Sequence, residues 1–125
     1  MALKSIVMEF GMGTDILGED YTKAAVRALH AALHQNSISF ADLFDLPKSA
    51  MQVKIDIGVT KPEAVDKAAV AAVLPYGQPE VSVTEGGMII PRDGAPGATI
   101  LANAAVTVFL DLPESMTKTG GEAPS

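Results

Sequence analysis

Residues 51–58 read Met-Gln-Val-Lys-Ile-Asp-Ile-Gly, which puts Met51, Val53, Ile55 and Ile57 on one side of an extended chain and Gln52, Lys54, Asp56 and Gly58 on the other. A period of two with one apolar side specifies a strand buried on a single face. The same alternation predicts strands over 5–10 (Ile6, Met8 and Phe10 inward, Ser5, Val7 and Glu9 outward), 80–85 (Val81 and Val83 against Ser82 and Thr84) and 104–110 (Val106, Val108 and Leu110 against Ala105, Thr107 and Phe109). Four one-sided strands need one covering layer. Residues 20–35 supply part of it, because Thr22, Ala25, Val26, Leu29, Ala32 and Leu33 recur at helical steps. Glu19 and Asp20 stand where a helix dipole favours negative charge, and Asn36 is a stop signal. Thr60-Lys-Pro-Glu63 has the form of a capping box with proline in the first turn, so a second helix is expected from there, with Val65, Ala68, Ala69, Ala72 and Val73 inward and Pro75 and Gly77 ending it. Arg92-Asp-Gly-Ala-Pro-Gly97 predicts a hairpin turn whose first arm Gly86-Gly87 interrupts. The expected fold is an α+β two-layer sandwich of order β-α-β-α-β-β, with a four-stranded mixed sheet and two helices on one face. Residues 1–112 are expected to form this single domain, with 113–125 a flexible tail.

Composition removes whole classes of function. The 125 residues contain no cysteine, which excludes disulfide scaffolds, thiolate metal sites and cysteine nucleophiles. Nine Lys and Arg against fifteen Asp and Glu give a net charge of −6, and aromatic residues make up 5% of the chain. Neither phosphate neutralisation nor base stacking is served, so no nucleic-acid partner is expected. The longest apolar stretch, 100–110, contains Asn103 and falls short of the roughly 20 residues of a membrane span. The N-terminus lacks the apolar region and cleavage site of a secretory leader, and a soluble, cytoplasmic protein without a membrane partner is the expectation. Nothing in the residue pattern calls for a cofactor or a metal.

The outward faces of the strands carry Glu9, Lys54, Asp56, Ser82, Thr84 and Thr107. Such a face is either solvated or shared with another subunit. The element order over residues 4–112 resembles the chorismate-mutase-like and YjgF-like group of small α+β proteins. That resemblance implies a homo-oligomer, a trimer with its sheets around the axis, and ligand sites in the clefts between subunits.

Gly11-Met-Gly13-Thr-Asp15-Ile-Leu-Gly18 joins the first strand to the first helix. The position is that of a phosphate loop, but the spacing and the missing Gly-Lys-Ser/Thr ending do not match. Asp15, Glu19 and Asp20 would also repel an anion there. A carboxylate-rich glycine loop suits a ligand with N–H donors, a cationic group or a hard cation. It equally suits a tight turn that Asp15 caps. Gly11, Gly13, Thr14, Asp15 and Gly18 are the ligand-binding candidates, with Lys23 and Arg27 as nearby anion contacts. The motif and the following Asp20-Tyr-Thr-Lys-Ala-Ala-Val-Arg27 resemble a conserved-hypothetical family of bacteria and plants whose hallmark is Gly-x-Gly-x-Asp-x-His-Gly. Leu17 stands where that hallmark has histidine, which removes the imidazole from any mechanism carried over.

Three other groups carry possible chemistry. His30 and His34, four apart on the first helix, could grip a metal, yet no third ligand accompanies them; with Lys23 and Arg27 they read as a solvated or subunit-facing stripe. Lys54 and Ser82 share the outward face and are the catalytic candidates, lysine as base and serine as nucleophile. Val53-Lys54 and Thr84-Glu85-Gly86 resemble segments of the ring-opening amidohydrolases, such as cyanuric acid hydrolase and barbiturase, but Val81-Ser82-Val83 replaces their Ser-Gly-Gly. Thr84, Glu85, Gly86 and Gly87 complete the ligand-binding candidates. Together these readings describe a small-molecule-binding homo-oligomer, possible hydrolase chemistry included, against a non-catalytic regulatory module or a structural assembly protein.

Overall fold

A computed structural model describes residues 2–16, 18–35, 51–74 and 79–112, for 2–7, 35, 51 and 110–112 as backbone alone. Residues 113–125 and Leu17 lie outside the described residues. Strand β1 (Ala2–Asp15) leads to helix α1 (Tyr21–Gln35), then β2 (Met51–Val59), a 3-10 turn (Pro62–Ala64), a short helix α2 (Lys67–Ala71), β3 (Glu80–Glu85), β4 (Met88–Pro91) and β5 (Ala98–Leu112). The sheet runs β1-β5-β2-β3, and β4 also pairs with β5. Only β2 and β3 are parallel; every other pair is antiparallel. This is the expected mixed α+β sheet, with five strands in place of four. None of the described helices is long and apolar enough to cross a membrane.

Strand β5 is the organiser. It carries β1 along one edge, while β2 and then β4 share the other. Its even-numbered residues from Ala98 to Val108 are buried and face the helices. Ile55, Ile57 and Val59 of β2 join them, and Leu29, Val70 and Leu74 close the core from the helical side.

The β3–β4 connection is where the interrupted arm of the hairpin acquires a purpose. Gly86 crosses so near to Gly58 that a Cβ on it would lie 3.1 Å from the Gly58 Cα. Gly87 follows with φ of 63°, donating its N–H to Asn103 Oδ1 at 3.2 Å. The chain thereby steps from its place beside β2 onto β5, and β4 continues where β2 stops. A Cβ at Gly87 would meet the Leu101 carbonyl oxygen at 2.2 Å, in a backbone region that L side chains avoid. Gly87→Ala is therefore expected to lower unfolding free energy by about 3 kcal/mol, read as a shifted urea midpoint.

The second helix departs from the expected pattern. Thr60 does not cap it; its hydroxyl donates to Tyr21 Oη at 3.3 Å instead. Pro62 starts only a 3-10 turn, and Val65 is then extended, with φ of −95° and ψ of 130°, as its side chain enters the core. Asp66 restarts the helix by accepting from the N–H groups of Ala68 and Ala69. The Thr22 hydroxyl bridges this break to α1, accepting from Asp66 N at 2.9 Å and donating to Ala64 O.

Candidate site on the open sheet face

Residues 11–15 are not a loop. They are the second half of β1, paired residue by residue with Ala104 to Ile100 of β5. Its glycines are set by what lies above them. A Cβ on Gly13 would sit 2.2 Å from Ala28 N and 2.6 Å from Ala24 O, and one on Gly11 would sit 2.3 Å from Ala32 N and 2.5 Å from Ala28 O. Two strand residues advance about 6.7 Å and four helix residues about 6 Å, so each glycine meets one turn of the Ala24-Ala28-Ala32 stripe. Helix and strand touch backbone to backbone. Neither glycine has positive φ; in this junction that conformation falls to Glu19, at 49°.

Asp15 ends the strand facing inward, 5% exposed. Its Oδ2 accepts from Asp20 N at 2.8 Å, fixing the turn, and its Oδ1 lies 3.6 Å from Arg27 Nη1. Gly18 is constrained by the same carboxylate, since a Cβ there would lie 3.0 Å from Oδ2. Asp20 caps α1 by accepting from Lys23 N at 3.0 Å. Arg27 Nη1 also donates to the Thr14 carbonyl at 2.7 Å. These contacts of Asp15, Asp20 and Arg27 tie the strand, the turn and α1 together. Lys23, His30 and His34 remain on the exposed side of α1, and among the described residues no group of three acidic or histidine side chains is placed to hold a metal.

The sheet face away from the helices is a different surface. In register across β1, β5, β2 and β3 run Met8-Thr107-Lys54-Glu80, Phe10-Ala105-Asp56-Ser82 and Met12-Asn103-Gly58-Thr84. Each row is apolar at the β1 end and polar at the β3 end. Met8, Phe10 and Met12 are 52%, 62% and 64% exposed, while Lys54, Asp56 and Ser82 are half-buried. Met8 and Phe10, expected inward, face away from the helices, and Glu9, expected outward, does not share their face. A bulge between Ser5 and Val7 shifts the register, so the pattern before it does not set the face after it. Glu9 shares the helix side with Gly11 and Gly13, and three large apolar side chains occupy the open side.

Lys54 and Ser82 share this face but are diagonal neighbours, since Lys54 registers with Glu80 and Ser82 with Asp56. Among the described residues no hydrogen bond joins them. Thr84 and Glu85 are exposed at the end of β3, and Gly86 and Gly87 lead into β4. Thr14, Leu101 and Met88 are consecutive across β1, β5 and β4, so the two glycine segments flank the same end of β5. Asn103 was not singled out by sequence reasoning. It is exposed, holds Gly87, and with Phe10, Gly11, Met12 and Ala104 lines a shallow groove. Its only sequence signal is an amide interrupting an apolar run.

Comparison with known proteins adds a family and a structure. A family model described as "Conserved hypothetical protein (Lin0512_fam)" matches residues 5–108. The crystal structure of an FtsZ-like protein of unknown function from Nostoc punctiforme is 33% identical, with a TM-score of 0.76 over 90% of this chain and 99% of that one. No curated protein matches.

Proposed function

This chain belongs to the Lin0512 family of conserved hypothetical proteins, and from that premise we propose that it works as a homo-oligomer binding a small molecule where the open sheet faces of its copies meet. The observation that carries the reading is the division of each sheet row into an apolar half and a polar half. An exposed apolar strip beside polar groups is the usual form of a surface that packs against a partner and leaves a cleft at its margin. A trimer is the assembly suggested by the topological likeness to chorismate-mutase-like proteins.

The polar half defines the ligand. Asp56 accepts N–H groups and Lys54 donates to a carbonyl, two residues apart on one strand face. Ala105 and Ser82 beside Asp56 are small and leave room for a flat group, bounded at Gly58 by the crossing Gly86 backbone. An amide, ureide or cyclic imide carries both complements. Binding is favoured over hydrolysis because Lys54 lies in register with Glu80 instead of Ser82. The test is a thermal-shift screen of cyclic imides, ureides and primary amines against the intact chain and Asp56→Asn. At least one compound is expected to raise the wild-type midpoint and leave the variant unmoved. Compounds that stabilise both equally would place the site elsewhere.

A further inference from the structure

Resting on the oligomeric reading above, we infer that the strip Met8-Phe10-Met12 of β1 is the surface that binds a second copy of this chain, face to face and not by strand addition at the sheet edge.

The edge of β1 is guarded at its Thr14 end. A Cβ on Gly87 would point into the Leu101 carbonyl, so that carbonyl is turned toward β4. Leu101 and its β1 partner Thr14 therefore form a pair whose backbone groups point away from each other, and the Thr14 carbonyl faces the outer edge. Arg27 Nη1 occupies it at 2.7 Å. Because Arg27 reaches that edge from α1, the side of the helix bearing Lys23, Arg27, His30 and His34 overhangs it. Adding a second β1 there would set two strands about 4.8 Å apart. Each would carry a helix in backbone contact with it, and packed helices need 8–10 Å between their axes. The two basic stripes would also confront each other. A charged residue placed at an edge to prevent strand pairing is a recognised protection.

The face carries no such guard. Met8, Phe10 and Met12 are each more than half exposed, and the strip they form contains no ionisable group. Copies that each carry a charge of −6 repel over most of their surfaces, and this strip is where they meet without that cost. The area also fits. A tenth of the 7345 Å² surface is the usual share of a standard interface. Three quarters of a face of four strands of about eight residues span roughly 400 Å² in projection, and more along the side chains that rise from them, which is the lower end of what a specific interface needs. Packing sheet on sheet about 10 Å apart buries the strip and leaves the Lys54 and Asp56 quarter at the margin.

Sedimentation equilibrium of the intact chain and of Phe10→Glu/Met12→Glu tests this. The wild type is expected at a multiple of 12.9 kDa, and the double variant at 12.9 kDa with association weakened about a hundredfold or more. Phe10→Ser, a milder change on an exposed position, should weaken association about tenfold and serves if the double variant does not fold. A double variant that keeps the wild-type multiple overturns the strip, and with it the meeting of open sheet faces, while homo-oligomerisation through another surface stands. A wild type at 12.9 kDa throughout overturns both. A monomeric wild type whose variants lose much stability shows that the chain's own residues cover the strip, which also overturns the inference.

Discussion

Gly13→Ala should lower unfolding free energy by about 3 kcal/mol, and Gly13→Val should leave little folded protein. The added methyl would meet Ala28 N at 2.2 Å and two further backbone atoms of α1 at 2.6 Å. No side chain can rotate aside, because the obstruction is helix backbone, so the helix must lift from the strand. Lifting it separates Ala24, Ala28 and Leu29 from the core they close. Removing glycine's freedom in the unfolded chain returns at most about 1 kcal/mol, too little to offset the loss. Urea unfolding of the purified variants gives the value. A Gly13→Ala protein as stable as the wild type would mean that α1 does not lie on β1 as described.

Asp15→Ala should cost about 2 kcal/mol, and Asp15→Asn less than about 1 kcal/mol. The carboxylate is almost fully buried, and its deletion leaves the Asp20 N–H without its acceptor at the entry to α1. A stranded donor costs about 1–3 kcal/mol. The Arg27 contact adds little, since that side chain is half exposed and also held by the Thr14 carbonyl. Asparagine retains an oxygen for Asp20 N, so the two variants separate hydrogen bonding from charge. Thermal and urea midpoints measure both. Equal destabilisation by the two would assign the role to charge instead.

These two residues also show what was legible in the sequence. The α+β class, the β2 alternation and the α1 period follow from hydropathy, because a one-sided sheet and an amphipathic helix require each other. The turn-capping reading of Asp15 follows from its chemistry as a short acid at a strand-to-helix junction. The strand character of 11–15 was hidden, because glycine adds nothing to a hydropathy pattern and ordinarily marks a turn. The key lay elsewhere in the chain: Ala24, Ala28 and Ala32 repeat at the spacing that a Gly-x-Gly strand accommodates. The face that β1 leaves open is not legible for another reason. A bulge changes the parity of a strand, and Val7, Met8 and Phe10 fill both parities, so alternation over six residues leaves the choice open. The polar quarter around Lys54, Asp56 and Ser82 was legible because β2 and β3 alternate without interruption.

The glycines seat α1 on β1 and Asp15 holds the turn, and the open sheet face carries the proposed site. The chain contains six methionines, and Met8, Met12 and Met88 are each more than half exposed in the single chain. Methyl NMR of methionine-labelled protein with a soluble paramagnetic agent reads their coverage directly. In the intact protein the Met8 and Met12 methyls should be shielded from the agent, and Phe10→Glu should expose them. Methyls bleached in the wild type as fully as a free methionine would contradict the account, because the face would then be open to water.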